Sequence, residues 1–251
     1  MIMNTDEVTK RHLTDLADRA YSRNMMVYSD FLSLHELHIL QCLPIESLGV
    51  RLMLSGGYEA AERQMAAFLP DALIFEADFP IDCVSITPLQ EKYAESLTHR
   101  DYLGALMHIG IDRSCLGDIL IDGTQAYVFC VRKMTSVILN EINCVRHTSV
   151  KTALEHPESI PAPKYKEISG TVSSLRLDCV AALAFGLSRS KAVPYIESGS
   201  VYVNGRQILS NGYTLQEGDR ISIRGVGKCR YMGVRNQSKK GKQWIDLLRY
   251  I

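Results

Sequence analysis

Residues 188–205 read SRSKAVPYIESGSVYVNG, and they place two cations, Arg189 and Lys191, in the first turn of a short helix. A helix N-terminus is the positive pole of the macrodipole, so basic residues there cost stability unless an anion approaches. Ser188 is placed to cap the helix, Ala192, Val193 and Ile196 form its apolar stripe, and Gly199 is placed to end it. Pro194 removes a backbone donor in the second turn. Arg189 and Lys191 stand two residues apart, roughly 200° around the axis, so they flank the helix opening rather than form one patch. Beyond it, VYVNGRQIL alternates Val201 and Val203 inward with Tyr202 outward and turns at Asn204-Gly205. EGDRISIRGVGKCRY then turns at Gly218-Asp219 and carries a strand to Arg224. Upstream, SSLRLDCVAALAFGL predicts a first helix with Leu177, Val180, Ala181 and Ala184 on its core face and Arg176 at its start. Two helices, each opened by an arginine, are expected to pack on a small curled sheet. Helix N-termini and guanidinium groups converging on one surface make a phosphate site.

The charge distribution agrees. The chain has 251 residues and a net charge of zero, yet residues 171–251 hold 13 Lys and Arg against 5 Asp and Glu, a net of +8, leaving −8 for residues 1–170. A basic module on an acidic body is the footprint of a polyanion binder, although a solvated basic tail gives the same count. The longest apolar run, CVAALAFGL, is too short to cross a bilayer, and the first residues, MIMNTDEVTK, hold acids and no apolar signal core, so the expected location is cytoplasmic. Seven cysteines without a closely spaced pair argue against a zinc knuckle and suit reduced core thiols, and no metal or cofactor is expected.

Along the rest of the chain, Val8, Leu13, Leu16 and Ala20 recur at near-helical spacing, and FLSLHELHILQCL predicts a second helix. GVRLMLSGGYEAAERQMAAFL reads as a strand, a Gly-Gly turn and a helix, followed by a strand over ALIFEA, an α/β unit. From Ile81 the pattern is strand, helix capped by Thr98, two strands around Asp122-Gly123, helix near Thr135–Asn140, and strand near NCVRHTSV. That β-α-β-β-α-β order is the one of a ferredoxin-like or RNA-recognition-like (RRM-like) sandwich. It lacks the aromatic-rich strand motif on which that fold stacks bases, which leaves this region an RNA binder or a spacer. EHPESIPAPKYKEISG, with three prolines, reads as an exposed linker. In the tail, Trp244, Leu247, Leu248 and Tyr250 are too apolar for a loose basic end and predict a hairpin turning at Lys240-Gly241.

The residues from Arg176 to Gly225, RLD, LSRSKA, VYVNG, GD and ISIRG in order, resemble the S4 RNA-binding domain, named after a small-subunit ribosomal protein. LTHRDYLGALMHIGIDRSCLGDI, preceded by SGGYEAAERQMAAFLPD, resembles the YlmH family of bacterial S4 proteins, extending the likeness to nearly the whole chain. The resemblance implies that Arg176, Ser188, Arg189 and Lys191 line an RNA surface, with Arg206, Arg224, Lys228 and Arg230 extending its basic edge. It also implies binding to ribosomal RNA or tRNA on the large subunit, in rescue of stalled translation, and a genetic association with cell division. The fold expected is α+β: an N-terminal α/β subdomain over 1–77, a ferredoxin-like subdomain over 78–154, a linker over 155–170, the S4 domain over 171–235 and a hairpin tail over 236–251. The partners expected are RNA and the ribosome, with no membrane and a monomeric chain.

Other motifs have plainer readings. HRD at His99–Asp101 resembles a kinase catalytic loop, but Leu106 stands where the asparagine belongs, and Asp101 suits a helix's first turn. RLD at Arg176–Asp178 resembles the catalytic tripeptide of pseudouridine synthases, yet it opens the S4 module itself with no catalytic domain behind it, so Asp178 reads as a structural acid. SGGYEA lacks the second spaced glycine and the lysine of a phosphate loop. His35 and His38 share a helix whose other members are apolar, a poor metal site. The chain is therefore expected to be a non-enzymatic RNA-binding factor. The competing readings are an RNA-modifying enzyme with an S4 targeting domain and an RNA-tethered protein-interaction factor.

Overall fold

The computed structural model describes residues 5–73, 77–156, 160, 165–237 and 241–250. The chain is α+β and divides into two compact units, Met1–Ala162 and Pro163–Ile251.

The first unit begins with helix α1 (Thr5–Arg23), strand β1 (Val27–Leu32), helix α2 (Leu34–Gln41) and strands β2 (Val50–Ser55) and β3 (Gln64–Pro70). Ser33 and Glu36 close a capping box at the start of α2: the Ser33 hydroxyl accepts from the Glu36 amide and the Glu36 carboxylate accepts from the Ser33 amide at 2.7 Å. The three strands form an antiparallel sheet in the order β1-β3-β2. Leu13, Leu16, Ala17 and Ala20 of α1 pack with Leu37 and Leu40 of α2 onto Ala66 and Phe68 of β3.

The helix expected after the Gly-Gly turn is instead strand β3. Met65 joins the core on one side of this sheet, whereas Ala66 and Phe68 join the core on the other. A central strand buried on both faces has no polar alternation, and its alanines mimic a helix. The α/β unit read there is thus helices on an antiparallel sheet, and of the strand expected over ALIFEA, residues 72–77, the central residues 74–76 lie outside the described residues.

Next come β4 (Ile81–Pro88), α3 (His99–His108), β5 (Leu116–Asp122), β6 (Gln125–Val131), α4 (Thr135–Glu141), β7 (Cys144–Val145) and β8 (Thr148–Glu155). Their antiparallel sheet runs β5-β6-β4-β8-β7. Asp101 caps α3, accepting from the Thr98 amide at 2.8 Å and hydroxyl at 2.7 Å, which is the first-turn role read for the HRD motif. The SGGYEA turn docks one sheet against the other. A Cβ on Gly57 (φ +89°) would stand 2.6 Å from the Phe129 ring, Tyr58 stacks on that ring at 4.8 Å, and Asp118 accepts from the Tyr58 hydroxyl and the Glu62 and Arg63 amides. Within the turn itself the Gly57 amide is committed to the Ser55 hydroxyl at 3.2 Å.

The second unit comprises β9 (Tyr165–Val172), α5 (Leu177–Phe185), α6 (Arg189–Glu197), β10 (Val201–Val203), β11 (Arg206–Gln207), β12 (Arg220–Ile223), β13 (Gly227–Gln237) and β14 (Gln243–Tyr250). One antiparallel sheet runs β11-β10-β12-β13-β14-β9. Both helices contribute to the same core: Leu177, Val180, Ala181, Ala184 and Ile196 meet Val203, Ile221, Cys229, Tyr231 and Leu247 from the strands. Residues 165–170, expected as linker, are the outer strand β9, which pairs with β14 along its whole length. The strands expected to form a hairpin tail pair antiparallel as β13 and β14, and β14 is an interior strand of the sheet. Of the turn expected at Lys240-Gly241, Lys240 lies outside the described residues.

Candidate nucleic-acid interface

Helix α5 opens where the chain leaves β9 and crosses the 211–215 loop. Leu177 donates its amide to Tyr213 at 2.8 Å, Asp178 to Asn211 at 3.5 Å, and Leu215 donates back to Leu175 at 3.0 Å. The first amides of α5 are therefore engaged by loop carbonyls, and the backbone half of the phosphate site expected there is not available. What α5 presents instead is Asp178, a carboxylate only 2% exposed.

Two guanidinium groups close on that carboxylate. Arg176 donates Nε to Oδ1 at 3.1 Å, and Arg189, from the first turn of α6, donates Nε to Oδ2 at 3.2 Å and Nη2 at 2.5 Å. Burial pushes the Asp178 carboxyl up, but the hydrogen bonds from Arg189 and Arg176 outweigh it and hold the group below the ordinary aspartate range. The arginine side chains remain 45% and 56% exposed, so their outer edges face water while their inner edges are fixed. Two cations on one anion leave net positive charge on a preoriented surface. Ser188 caps α6 by accepting from the Lys191 amide at 3.3 Å, Gly199 (φ +71°) ends it, and the Lys191 side chain is exposed beside the opening. A groove of about 400 Å³ opens next to Arg189, between Thr171 and Ser173 on one side and Leu183 and Leu187 on the other.

The expected site residues fall into two groups. Arg176, Ser188, Arg189 and Lys191 share the helix openings. Arg206, Lys228 and Arg230 lie on the sheet, and Arg224 follows β12 directly, its amide bonded to Ser200 near the far end of α6 and its guanidinium 4.9 Å over the Tyr202 ring. Cys229 and Tyr231 point into the core beneath the helices, so Lys228 and Arg230, which alternate with them, point to the opposite face. The single basic surface read from the sequence is two surfaces.

Asp178 also decides what Arg189→Glu would do. The anion that the helix opening needs is supplied from within the chain, and glutamate at 189 would set two carboxylates against each other rather than relieve strain. Asn204-Gly205 is the expected hairpin turn, with φ +50° and +77°. It is held by Asp219, which accepts from the Asn204 amide group at 2.7 Å, and by the Asn204 carbonyl oxygen, which accepts from the Arg220 amide at 2.9 Å. Among the described residues there is no group of three His, Cys, Asp or Glu side chains that would hold a metal ion, and no helix long and apolar enough to cross a membrane. His35 pairs with Asp6 at 2.9 Å.

Comparison with known proteins follows the same division. Residues 4–72 match the family described as "YlmH, N-terminal", residues 75–158 the "Putative RNA-binding domain in YlmH", and residues 175–221 the "S4 domain". The chain is 33% identical over 232 residues to "Ribosome-associated protein quality control protein P2" of Bacillus subtilis (strain 168), covering 89% of this chain and 87% of that protein. The solved structure "Cell division protein ylmH from Streptococcus pneumoniae" superimposes with a TM-score of 0.54 at 21% identity, over 64% of this chain and 98% of that one, and is a likeness of fold.

Proposed function

The chain belongs to the YlmH family and carries its S4 RNA-binding domain, and from that premise we propose that it is a non-enzymatic factor that binds ribosomal RNA or tRNA on the large ribosomal subunit in quality control of stalled translation. The observation that carries this reading is the pair of guanidinium groups fixed to buried Asp178 and left half-exposed beside Lys191. Such a pair meets phosphate without losing the rotamer entropy that free arginines lose on binding. An A-form helix hides its base edges in a deep groove, so a rigid cationic surface reads backbone and shape. The relative's printed name points to the ribosome as the assembly that presents such RNA.

Asp178 also weighs against the modifying-enzyme alternative. A catalytic carboxylate must reach a substrate, whereas this one is buried and engaged by two arginines. Sedimentation of the full chain with purified large and small subunits at near-physiological salt tests the proposal. Co-sedimentation with large subunits, weakened by Lys191→Glu and by added salt, is expected. A chain that stays in the supernatant with large subunits, or binds both subunits equally and indifferently to Lys191→Glu, overturns it.

A further inference from the structure

Between Arg220 and Trp244 the sequence holds eight lysines and arginines and no acid. The strand register gathers several of them on one side. Arg220 stands directly opposite Arg230, and Ser222 opposite Lys228, on β12 and β13, while Ile221, Ile223, Cys229 and Tyr231 between them fill the core. At one end of this strip Arg224 covers the ring of Tyr202, itself opposite Ser222. Towards the other, Trp244 of β14 lies on the same outer side, because its neighbour Ile245 points into the core, and it is 39% exposed. Trp244 sits four residues along β14 from Leu248, the partner of Arg230, a distance of about 13 Å. Of the acids near this strip, Glu167 and Asp246 belong to β9 and β14 and Glu217 lies against Gly233 of β13, and Asp246 is already engaged by Arg235 at 3.0 Å and Ser169 at 2.6 Å.

A row of cations flanked by aromatic faces is how proteins hold unpaired nucleotides, with phosphates tracking the charges and bases stacking on the rings. An acidic protein segment would pair with cations but has no use for the exposed ring of Trp244. We propose that the outer face of the β12-β13-β14 sheet is a second RNA surface, for single-stranded nucleotides, on the opposite side of the sheet from the helix openings. The proposal rests on the reading of this unit as an RNA binder. It adds a division of labour: the helix openings take duplex backbone, and the sheet takes an unpaired segment of the same or a neighbouring RNA.

Trp244 is the only tryptophan in the chain, so its fluorescence reports this face directly. The full chain is titrated with a short single-stranded RNA oligomer, with a blunt RNA duplex and with poly-glutamate at equal charge. Saturable quenching by the single strand, little by the duplex and little by poly-glutamate, is expected. Lys228→Glu with Arg230→Glu should weaken the single strand roughly tenfold or more, and Trp244→Ala, followed by anisotropy of labelled RNA, by about 5- to 150-fold. The double variant is expected to fold, since both side chains are exposed and the carboxylate introduced in place of Arg230 would face Arg220 as an opposite charge. Lys191→Glu should leave the quenching unchanged, which separates failure of this proposal from failure of the helix-opening site. Absence of quenching by the single strand, quenching that survives the double charge reversal, or equal quenching by poly-glutamate overturns the proposal.

Discussion

Replacing Asp178 with asparagine keeps the shape of the side chain and removes its charge. The parent carboxylate receives charge-assisted bonds from Arg176 and Arg189, and hydrogen bonds to charged groups contribute about 1.5–3 kcal/mol each when buried. Both guanidiniums are about half exposed, so solvent screens the attraction from their side, and asparagine keeps one oxygen acceptor. A net loss of about 2 kcal/mol is expected. In a unit of under a hundred residues, where one kcal/mol shifts Tm by about 4–8 °C, that lowers the melting temperature by about 10 °C. Trp244 lies in this unit, so a fluorescence melt follows it separately from the first. The pH dependence has a definite sign. The folded pKa of Asp178 is depressed below the ordinary value of about 3.9, so its stabilisation is fully present above that value and is lost as pH falls through the folded pKa. The gap between parent and variant should be constant from about pH 5 to 8 and close on acidification below about pH 4. Coincident melts at neutral pH, or a gap that persists undiminished in acid, would refute the clamp.

Lys191→Glu should leave the Trp244 melt unchanged or slightly raised, because an acid in the first turn of α6 suits the dipole, while RNA affinity falls and the salt slope shrinks by about one contact; a parent-like slope would remove Lys191 from the interface. Burial pushes the thiols of Cys83 and Cys229 up to about 12 and that of Cys130 to about 11, whereas Cys42 and Cys144 are exposed. A thiol reagent at mildly alkaline pH should therefore modify two of the seven cysteines quickly and the rest only on unfolding, and a larger fast fraction would contradict the packing. Gly117→Ala would set a Cβ 2.8 Å from the Phe31 ring and 2.9 Å from the Phe129 Cβ, and should destabilise the first unit by about 1–3 kcal/mol in a urea melt followed by circular dichroism; an unchanged midpoint would show that the rings yield without cost.

Where a segment's conformation is decided by its own residues, the sequence is sufficient. Ser188 and Gly199 bound α6, Thr98 opens α3, and Asn204-Gly205 turns a hairpin, each because a side chain or a positive φ acts within a few residues. Where distant chain decides, it is not. Strand β9 is polar and charged, YKEISGTV, with no alternation to mark it, and it is a strand because β14 supplies a partner at every position. Strand β3 errs in the other direction, its period erased by burial on both faces, so that the alanines argue for a helix that the neighbouring strands β1 and β2 override.

The cations at the opening of α6 show the same limit in the site itself. A basic first turn calls for an anion, and local reasoning looks for it outside the protein. The anion is Asp178, eleven residues before Arg189 and on the preceding helix, and only the packing of α5 against α6 brings it within 2.5 Å. The internal partner does not cancel the external one. Asp178 balances one of two guanidiniums and pins both, so the charge that remains for a phosphate is smaller than the sequence count implies but better oriented. The large excess that makes the C-terminal third basic lies mostly in the stretch from Arg220 to Lys242, which includes β12 and β13 and where no acid interrupts it. Its direction depends on register. A one-residue slip of β13 would turn Lys228 and Arg230 into the core and Cys229 out, and the pairing of Cys229 with Ile221 and Arg249 excludes that slip. Composition announces a basic domain, and register decides that its cations lie on two sides.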